Sequence, residues 1–398
     1  MKTEIVLQVK QENVHKFQKG YPLITKDAVV NIGDLKEEGC AVKLVDRSGN
    51  FLAKGYYGKQ NKGIGWILTR NKNDTFNQAF FDKKLNTAVT HRKNLFNDEG
   101  TTAFRMFNGE GDGIGGVTID HYDGHYVISW YSQGIYQYKD LIIKSLCNTA
   151  EVKSIYQKKR FDAKGQYMDE DDFVMGEVPE FPLIVKENGV RFAVYLNDGA
   201  MVGVFLDQRE VRKTIRDKYA SGKKVLNTFS YTGAFSVFAA LGGAEKTTSV
   251  DLANRSLPKT TEQFQVNGID SAEQDIIVMD VFNYFKYAAK KEIKYDMVIL
   301  DPPSFAKSKK FTFSAGKDYK NLLKDAISIT EKDGMIIAST NSSSFDMKRF
   351  KGFIAAAFKE TGGAYRLMEE FSLPEDFKTI PEFKEGNYLK VVFIKKVN

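Results

Sequence analysis

Four consecutive residues, Asp301-Pro302-Pro303-Ser304, follow a short apolar run, Met297 to Leu300, that reads as a buried strand of a parallel sheet. Proline fixes its own φ, lacks an N–H donor and restricts the residue before it, so these four are expected to form a rigid, exposed turn. In open α/β sheets, ligands bind beyond the carboxyl ends of the strands. A carboxylate on a stiff turn at that point is suited to fixing a planar, polar substrate group. The bland alternative is a strand-terminating turn, and the residues upstream decide between the two.

Upstream, Val225-Leu226 reads as a strand, Asn227 to Gly233 (N-T-F-S-Y-T-G) as a polar turn, and Ala234 to Leu241 as a helix start. Strand, tight turn and helix bring backbone N–H groups and a helix N-terminus against a nucleotide-like ligand. K-T-T-S-V-D then reads as a second strand closed by Asp251, an acid placed to bind ribose hydroxyls. A third acid, Asp280, follows the strand-like I-I-V-M. The glycine pattern is neither G-x-G-x-x-G nor G-x-x-x-x-G-K-[ST], which argues against nicotinamide and ATP. Strand ends carrying Asn227, Asp251, Asp280 and Asp301 in this order resemble a class I methyltransferase that uses S-adenosyl-L-methionine.

Longer segments carry a closer resemblance: G-V-F-L-D-Q-R-E-V-R (Gly203–Arg212), V-L-N-T-F-S-Y-T-G-A-F-S (Val225–Ser236), L-D-P-P-S-F-A-K-S-K (Leu300–Lys309) and G-N-Y-L-K-V-V-F (Gly386–Phe393). Together they resemble the ribosomal RNA large-subunit methyltransferases with an N-terminal PUA domain, of which the cytosine-5 enzyme is the best known. The resemblance implies a Rossmann-like α/β catalytic domain over 184–398, a PUA-like β-barrel over 1–75 that contacts RNA, and a central α+β domain over 76–183. It also implies 23S ribosomal RNA as partner, and it is compatible with a homodimer.

By that resemblance Phe229, Ser230 and Tyr231 belong to the donor turn, where aromatic rings pack on adenine or favour the sulfonium. Asp251 takes the ribose, Asp280 accepts from the adenine amino group, and Val281 lies beside the ring. Gln208 and Arg209 stand at the cleft edge, with Arg209 serving either the donor or an RNA phosphate. Asp301 and the proline turn hold the target base, and Phe305 offers a stacking face. Lys307, Lys309 and Lys310 follow, suited to nearby phosphates. In the central domain, Arg105 is expected to line the substrate cleft with Glu110 and Asp112 of N-G-E-G-D-G, a segment that reads equally as a structural hairpin.

One departure matters. Cytosine-5 enzymes carry a Ser-Cys-Ser motif after the strand that follows D-P-P, and here I-I-A-S-T-N-S-S-S-F puts Asn341 in the cysteine's place. A related guanine-N7 methyltransferase domain also has asparagines there. Carbon-5 of cytosine is a poor nucleophile that needs a thiolate added at C6, whereas a purine nitrogen brings its own lone pair. Guanine is therefore the favoured target.

Composition bounds the rest. A chain of 398 residues needs two or three domains, and 42% hydrophobic with 27% charged residues is the balance of a soluble globular protein. No apolar run approaches the roughly 20 residues of a membrane span. Met1-Lys2-Thr3-Glu4 leads straight into a strand-like run, so a cytoplasmic protein without a signal peptide is expected. Two cysteines and four histidines form no metal-ligand set, and a net charge of +7 permits RNA binding without requiring it. Short alternating runs up to residue 75 suggest the barrel, Phe80 to Phe96 reads as an amphipathic helix, and Met168–Glu180 reads as a linker. The second class of function open to the sequence is an RNA-binding, ribosome-assembly protein with a vestigial donor pocket.

Overall fold

The computed structural model describes residues 4–60, 62–161, 172–199, 201–307 and 312–397. The chain divides into two units. Unit 1 comprises Met1–Val185, Val194–Val202 and Glu375–Gly386; unit 2 comprises Lys186–Ala193, Gly203–Pro374 and Asn387–Asn398.

Unit 1 holds two five-stranded sheets. The first uses β1 (Ile5–Gln8), β2 (Leu23–Ile24), β3 (Ala41–Val45), β4 (Phe51–Tyr57) and β5 (Gly65–Thr69), in the order β1-β3-β4-β5-β2, with helix α1 (Gln11–Gln18) after β1. Alternation along these strands buries Val42, Leu44 and Ala53 in one core, with Phe17 of α1 completing it. Helices α2 (Gln78–His91) and α3 (Lys93–Phe96) lead to β6 (Ala103–Asn108), β7 (Val117–Tyr122) and β8 (His125–Trp130). Two further helices, α4 (Gln133–Tyr136) and α5 (Lys139–Thr149), precede β9 (Ser154–Lys159) and β10 (Phe173–Gly176). The second sheet runs β10-β9-β8-β7-β6, and Phe81, Leu85 and Ala88 on one face of α2 are fully buried in its core. Residues 173–176, expected within a linker, instead form β10 against β9.

A hairpin of β11 (Leu183–Glu187) and β12 (Val190–Val194) leads to α6 (Arg209–Thr214). Then come β13 (Lys224–Thr228), α7 (Ala234–Leu241), β14 (Lys246–Asp251), α8 (Ser256–Gln265), β15 (Asp275–Val278), α9 (Val281–Lys290) and β16 (Tyr295–Leu300). A short pair, β17 (Phe305–Lys307) and β18 (Thr312–Ser314), precedes α10 (Ala315–Ile329), β19 (Thr330–Thr340), α11 (Met347–Thr361), β20 (Tyr365–Phe371) and β21 (Lys390–Lys396). The seven-stranded sheet runs β15-β14-β13-β16-β19-β21-β20. Six strands run in the same direction, and β21, between β19 and β20, is antiparallel to both. Strand order reverses between β13 and β16, which pair with Thr228 opposite Leu300. The turns that leave these two strands are thus side by side at the switch point, where open α/β sheets bind ligands. Among the described residues, no helix is long and apolar enough to cross a membrane.

Candidate active site

The turn after β13 is strained. Phe229 and Tyr231 hold φ of +55° and +52°, and Gly233, which caps α7, holds +78°. Left-handed conformations are rare for aromatic residues and persist where surrounding contacts over-determine them, typically at ligand sites. Here the contacts are visible. Ser230 N–H donates to the Val250 carbonyl at 3.1 Å, Gly233 N–H to Ser230 at 2.8 Å, and Tyr231 N–H to the Asp251 carboxylate at 2.9 Å. Only glycine fits at 233, because a Cβ there would lie 2.4 Å from Thr260 Cγ2.

Asp251 closes β14 with both oxygens oriented. Oδ2 accepts from Tyr231, and Oδ1 accepts from the Ala253 N–H at 2.9 Å. Each oxygen keeps a lone pair for a ribose hydroxyl. Leu252 beside it is 60% exposed, an apolar face next to the carboxylate. Asp280 has a second task that sequence alone did not indicate: its Oδ1 caps α9 by accepting from Asn283 N–H at 3.1 Å. Val281 is buried, and Phe282 packs edge-on to Phe229 with ring centroids 6.2 Å apart. Asn227 is also buried, its Nδ2 donating to Ser236 Oγ at 3.0 Å, which in turn bonds Ser249 of β14. It ties β13, α7 and β14 together beneath the turn.

The second half of the site follows β16 and β19. Asp301, Pro302, Pro303 and Ser304 have no regular structure; Pro302 is buried and Pro303 exposed. Although part of Asp301 reaches solvent, burial of its carboxyl pushes the pKa up to about 6, against hydrogen bonds from Ser339 and Gln208 and the attraction of Arg212; nearby Asp207 adds to the rise. Ser304 Oγ donates to Asn341 Oδ1 at 2.6 Å, and among the described residues Nδ2 of Asn341 has no partner. Phe305 is 62% exposed. Lys307 ends β17, and Lys309 and Lys310 lie outside the described residues.

Gln208 and Arg209, expected at the cleft edge, are both only 4% exposed. Gln208 Nε2 donates to Ser339 Oγ at 3.1 Å, and Arg209 Nε to Glu210 at 3.3 Å. The segment bearing them is anchored by Arg212, whose guanidinium forms a two-pronged pair with Glu187 at 2.7 Å on each bond. Residues that sequence reasoning missed are Ser339, which lies with Gln208 and Asp301, and the Asp207–Tyr388 pair, whose hydroxyl-to-carboxylate bond is 2.9 Å. Asp207 and Tyr388 both lie in the quoted segments, but nothing local announces that they meet. Arg105 lies in unit 1 and is engaged there with Asp120 at 2.5 Å and Asn108 at 2.7 Å, its guanidinium over the Phe377 ring.

Among the described residues, the buried polar atoms without protein partners include Gln208 Oε1, Asn227 Oδ1 and Ser230 Oγ in this unit. With the strained turn and the oriented Asp251, they fit a bound nucleoside better than a sealed core. Comparison with known proteins agrees. A family model of the S-adenosylmethionine-dependent methyltransferases matches residues 143–380. The chain belongs to this family. A PUA-like domain matches residues 7–70. The Bacillus subtilis protein YwbD, provisionally named a ribosomal RNA large subunit methyltransferase, is 63% identical over 98% of this chain and 99% of its own length. Ribosomal RNA large subunit methyltransferase I of Klebsiella pneumoniae is 30% identical over 93% of each chain. A crystal structure of SMU.776, provisionally assigned as a methyltransferase and complexed with SAH, superposes with a TM-score of 0.91 at 38% identity, covering 99% of this chain and all of the other.

S-adenosylmethionine is therefore the methyl donor of this enzyme, and the fold is a class I methyltransferase sheet with a PUA-like N-terminal domain. When bound, the donor supplies an electrophilic methyl group on a sulfonium. The methyltransferase needs mainly to align donor and acceptor, and positioning alone can supply roughly 7–11 kcal/mol in well-oriented systems. Asp251 and the turn after β13 are suited to the donor, and the Asp301 turn with Asn341 to the acceptor. Among the described residues, no cluster of His, Cys, Asp or Glu could hold a metal ion.

Proposed function

We propose that this methyltransferase modifies a base of large-subunit ribosomal RNA, that it works in the cytoplasm, and that the accepting atom is a purine nitrogen, with guanine favoured over cytosine C5. The relatives' names and the PUA-like domain support RNA as substrate. In this reading residues 1–75 bind RNA, 76–183 form the central domain and 184–398 carry catalysis.

The observation that carries the choice of base is the Ser304–Asn341 hydrogen bond. A carboxamide occupies the end of β19, with its oxygen committed to Ser304 and its N–H donors available. Both cysteines lie in unit 1: Cys40 is buried in the first sheet's core, and burial pushes the exposed-end Cys147 thiol up, away from thiolate. A ring nitrogen of guanine attacks the methyl carbon directly and needs no covalent activation. Asn341 Nδ2 is suited to donate to the guanine carbonyl, Asp301 to accept from a base N–H, and Phe305 to stack. The base must be flipped or already unpaired to reach this turn.

Incubation with RNA containing 5-fluorocytidine tests the reading. No covalent adduct is expected, and nucleoside mass spectrometry should find methylguanosine. A stable adduct, or 5-methylcytidine as product, would restore the cytosine assignment.

A further inference from the structure

The segment N-G-E-G-D-G (Asn108–Gly113) plays no part in the site above, yet it walls a second cavity of about 910 Å³ whose lining residues all belong to unit 1. The other walls come from the end of α1, the end of β5, one face of α2, and Lys378 to Glu382. On α2 the spacing of Phe80, Lys84 and Thr87 places all three on the same side, and Lys83 joins them at the cavity. The glycines explain how the loop closes on its neighbours. A Cβ at Gly113 would stand 2.6 Å from Lys84 Nζ, and one at Gly111 would stand 1.8 Å from the Lys378 carbonyl oxygen. A side chain at Gly111 would push the loop off the Lys378 backbone, and one at Gly113 would displace the Lys84 ammonium.

Five cations line this space, Lys19, Arg70, Lys83, Lys84 and Lys378, against four carboxyl groups. The carboxyls are largely committed or silent. Asp112 is 8% exposed and is held by Arg92, with bonds of 2.7 and 3.2 Å. Asp74 accepts from Thr69 at 2.5 Å and from Asn71 at 2.8 Å. Burial pushes Glu110 up to about 7, so it is partly protonated at neutral pH. Glu382 acts on Arg70. Among the described residues, Lys84 makes no ion pair; its ammonium sits 5.4 Å from the Phe80 ring centroid. Burial pushes that ammonium down; Asp74 opposes this, while Lys83, Lys378 and Arg70 add to it. Crowded like charges on half-enclosed walls beside an aromatic ring suit an anion carried on a planar base.

We propose that this cavity binds a segment of single-stranded RNA, with phosphates on Lys84, Lys378 and Arg70 and a base against Phe80. The proposal rests on RNA being the substrate, and it gives the enzyme a second hold on the strand, separate from the nucleotide that is methylated. The volume falls in the range of small-ligand sites and suits a nucleotide or two.

The test is Lys84→Gln with Lys378→Gln in the full chain, titrated with a labelled single-stranded oligouridylate and with a 23S ribosomal RNA transcript over a salt series. Circular dichroism melting monitors the fold. We expect affinity about tenfold weaker and a log–log salt slope shallower by roughly 1.4, as for two lost contacts to a single strand. KM for RNA should rise while kcat at saturating RNA and donor affinity stay near wild type. Lys84→Arg, which keeps the charge, should retain most of the binding. A folded double variant with wild-type RNA affinity and slope would overturn the proposal. So would tight binding of free uridine monophosphate that the double variant loses while RNA affinity is unchanged. If the double variant does not fold, Lys378→Gln alone carries the test with a slope change of roughly 0.7. Failure of the wild-type enzyme to bind or methylate any ribosomal RNA is a different result, and it sinks the RNA reading itself.

Discussion

Ser304 donates its hydroxyl proton to Asn341 across 2.6 Å, joining the turn after β16 to the end of β19. The two strands are parallel neighbours in register, with Leu300 opposite Ala338, so the bond ties the loops of adjacent strands. It fixes the asparagine's oxygen toward the serine and its N–H donors away from it. A thiol in that position would lack the fixed orientation and would offer a single weak S–H donor in place of two N–H groups.

Asp301 should show opposite pH signatures in activity and in stability. Acting as a carboxylate toward the base, it loses function as pH falls through about 6, so single-turnover transfer should decline there and Asp301→Ala should abolish it with donor affinity within a few-fold. Its proton is held more tightly in the fold than in the unfolded chain. That advantage is complete below about pH 4 and is lost as pH rises through about 6. Asp301→Asn should therefore match wild type near pH 4 and be more stable above pH 6, by at most about 3 kcal/mol. Denaturant melts at the two pH values check this, and a constant difference would remove the assigned shift.

Donor affinity should depend on Asp251. Losing a charge-assisted bond to a ribose hydroxyl costs about 1.5–3 kcal/mol, or roughly 10- to 150-fold. Calorimetry of Asp251→Ala with S-adenosylmethionine measures it, and unchanged affinity would put the ribose elsewhere.

Gly233→Ala combines two penalties, a left-handed φ of +78° and a Cβ 2.4 Å from Thr260 Cγ2. A loss of about 1–3 kcal/mol in stability is expected, with weaker donor binding. Thr260→Ser removes the clashing methyl but not the backbone strain. The double variant should recover only part of the loss, and full recovery would show that the φ carries no cost.

In unit 1, Arg92→Met should cost about 3–5 kcal/mol, because buried Asp112 loses its two-pronged partner and keeps only Lys378 at 4.0 Å. Adding Asp112→Asn should restore much of that, as urea melts would show. Additive losses would mean the pair is not coupled.

The strand–turn–helix around Gly233 was legible because its residue types are dictated locally: an apolar run, small polar residues, then a helical period. The acids at 251, 280 and 301 were legible for the same reason, since each terminates a strand. What could not be read were contacts made across the sequence. Residues 173–176 sit beside an acidic run and look like a linker, yet pairing with β9 makes them a strand. Arg105 carries the composition of a substrate contact, while its partner Asp120 is set by the β6–β7 register. The capping role of Asp280 and the burial of Gln208 likewise depend on what packs over them. Positive φ at Phe229 and Tyr231 is invisible in principle, because aromatic residues do not announce a left-handed turn as glycine does.

The short excursion Glu375–Gly386 has a consequence for the order of biosynthesis. Arg92 donates to the Asp376 carbonyl at 2.6 Å, and Asp376 in turn accepts from the Arg105 N–H at 2.9 Å, so two residues of the N-terminal half meet partners synthesised some 270 to 284 positions later. A nascent chain can assemble both sheets of unit 1 on the ribosome, but that unit stays unfinished until nearly the last codon has been read. Its completion is thereby tied to full-length translation, and a chain cut short before residue 375 leaves the Arg92 guanidinium and the Arg105 N–H without the bonds that Asp376 accepts.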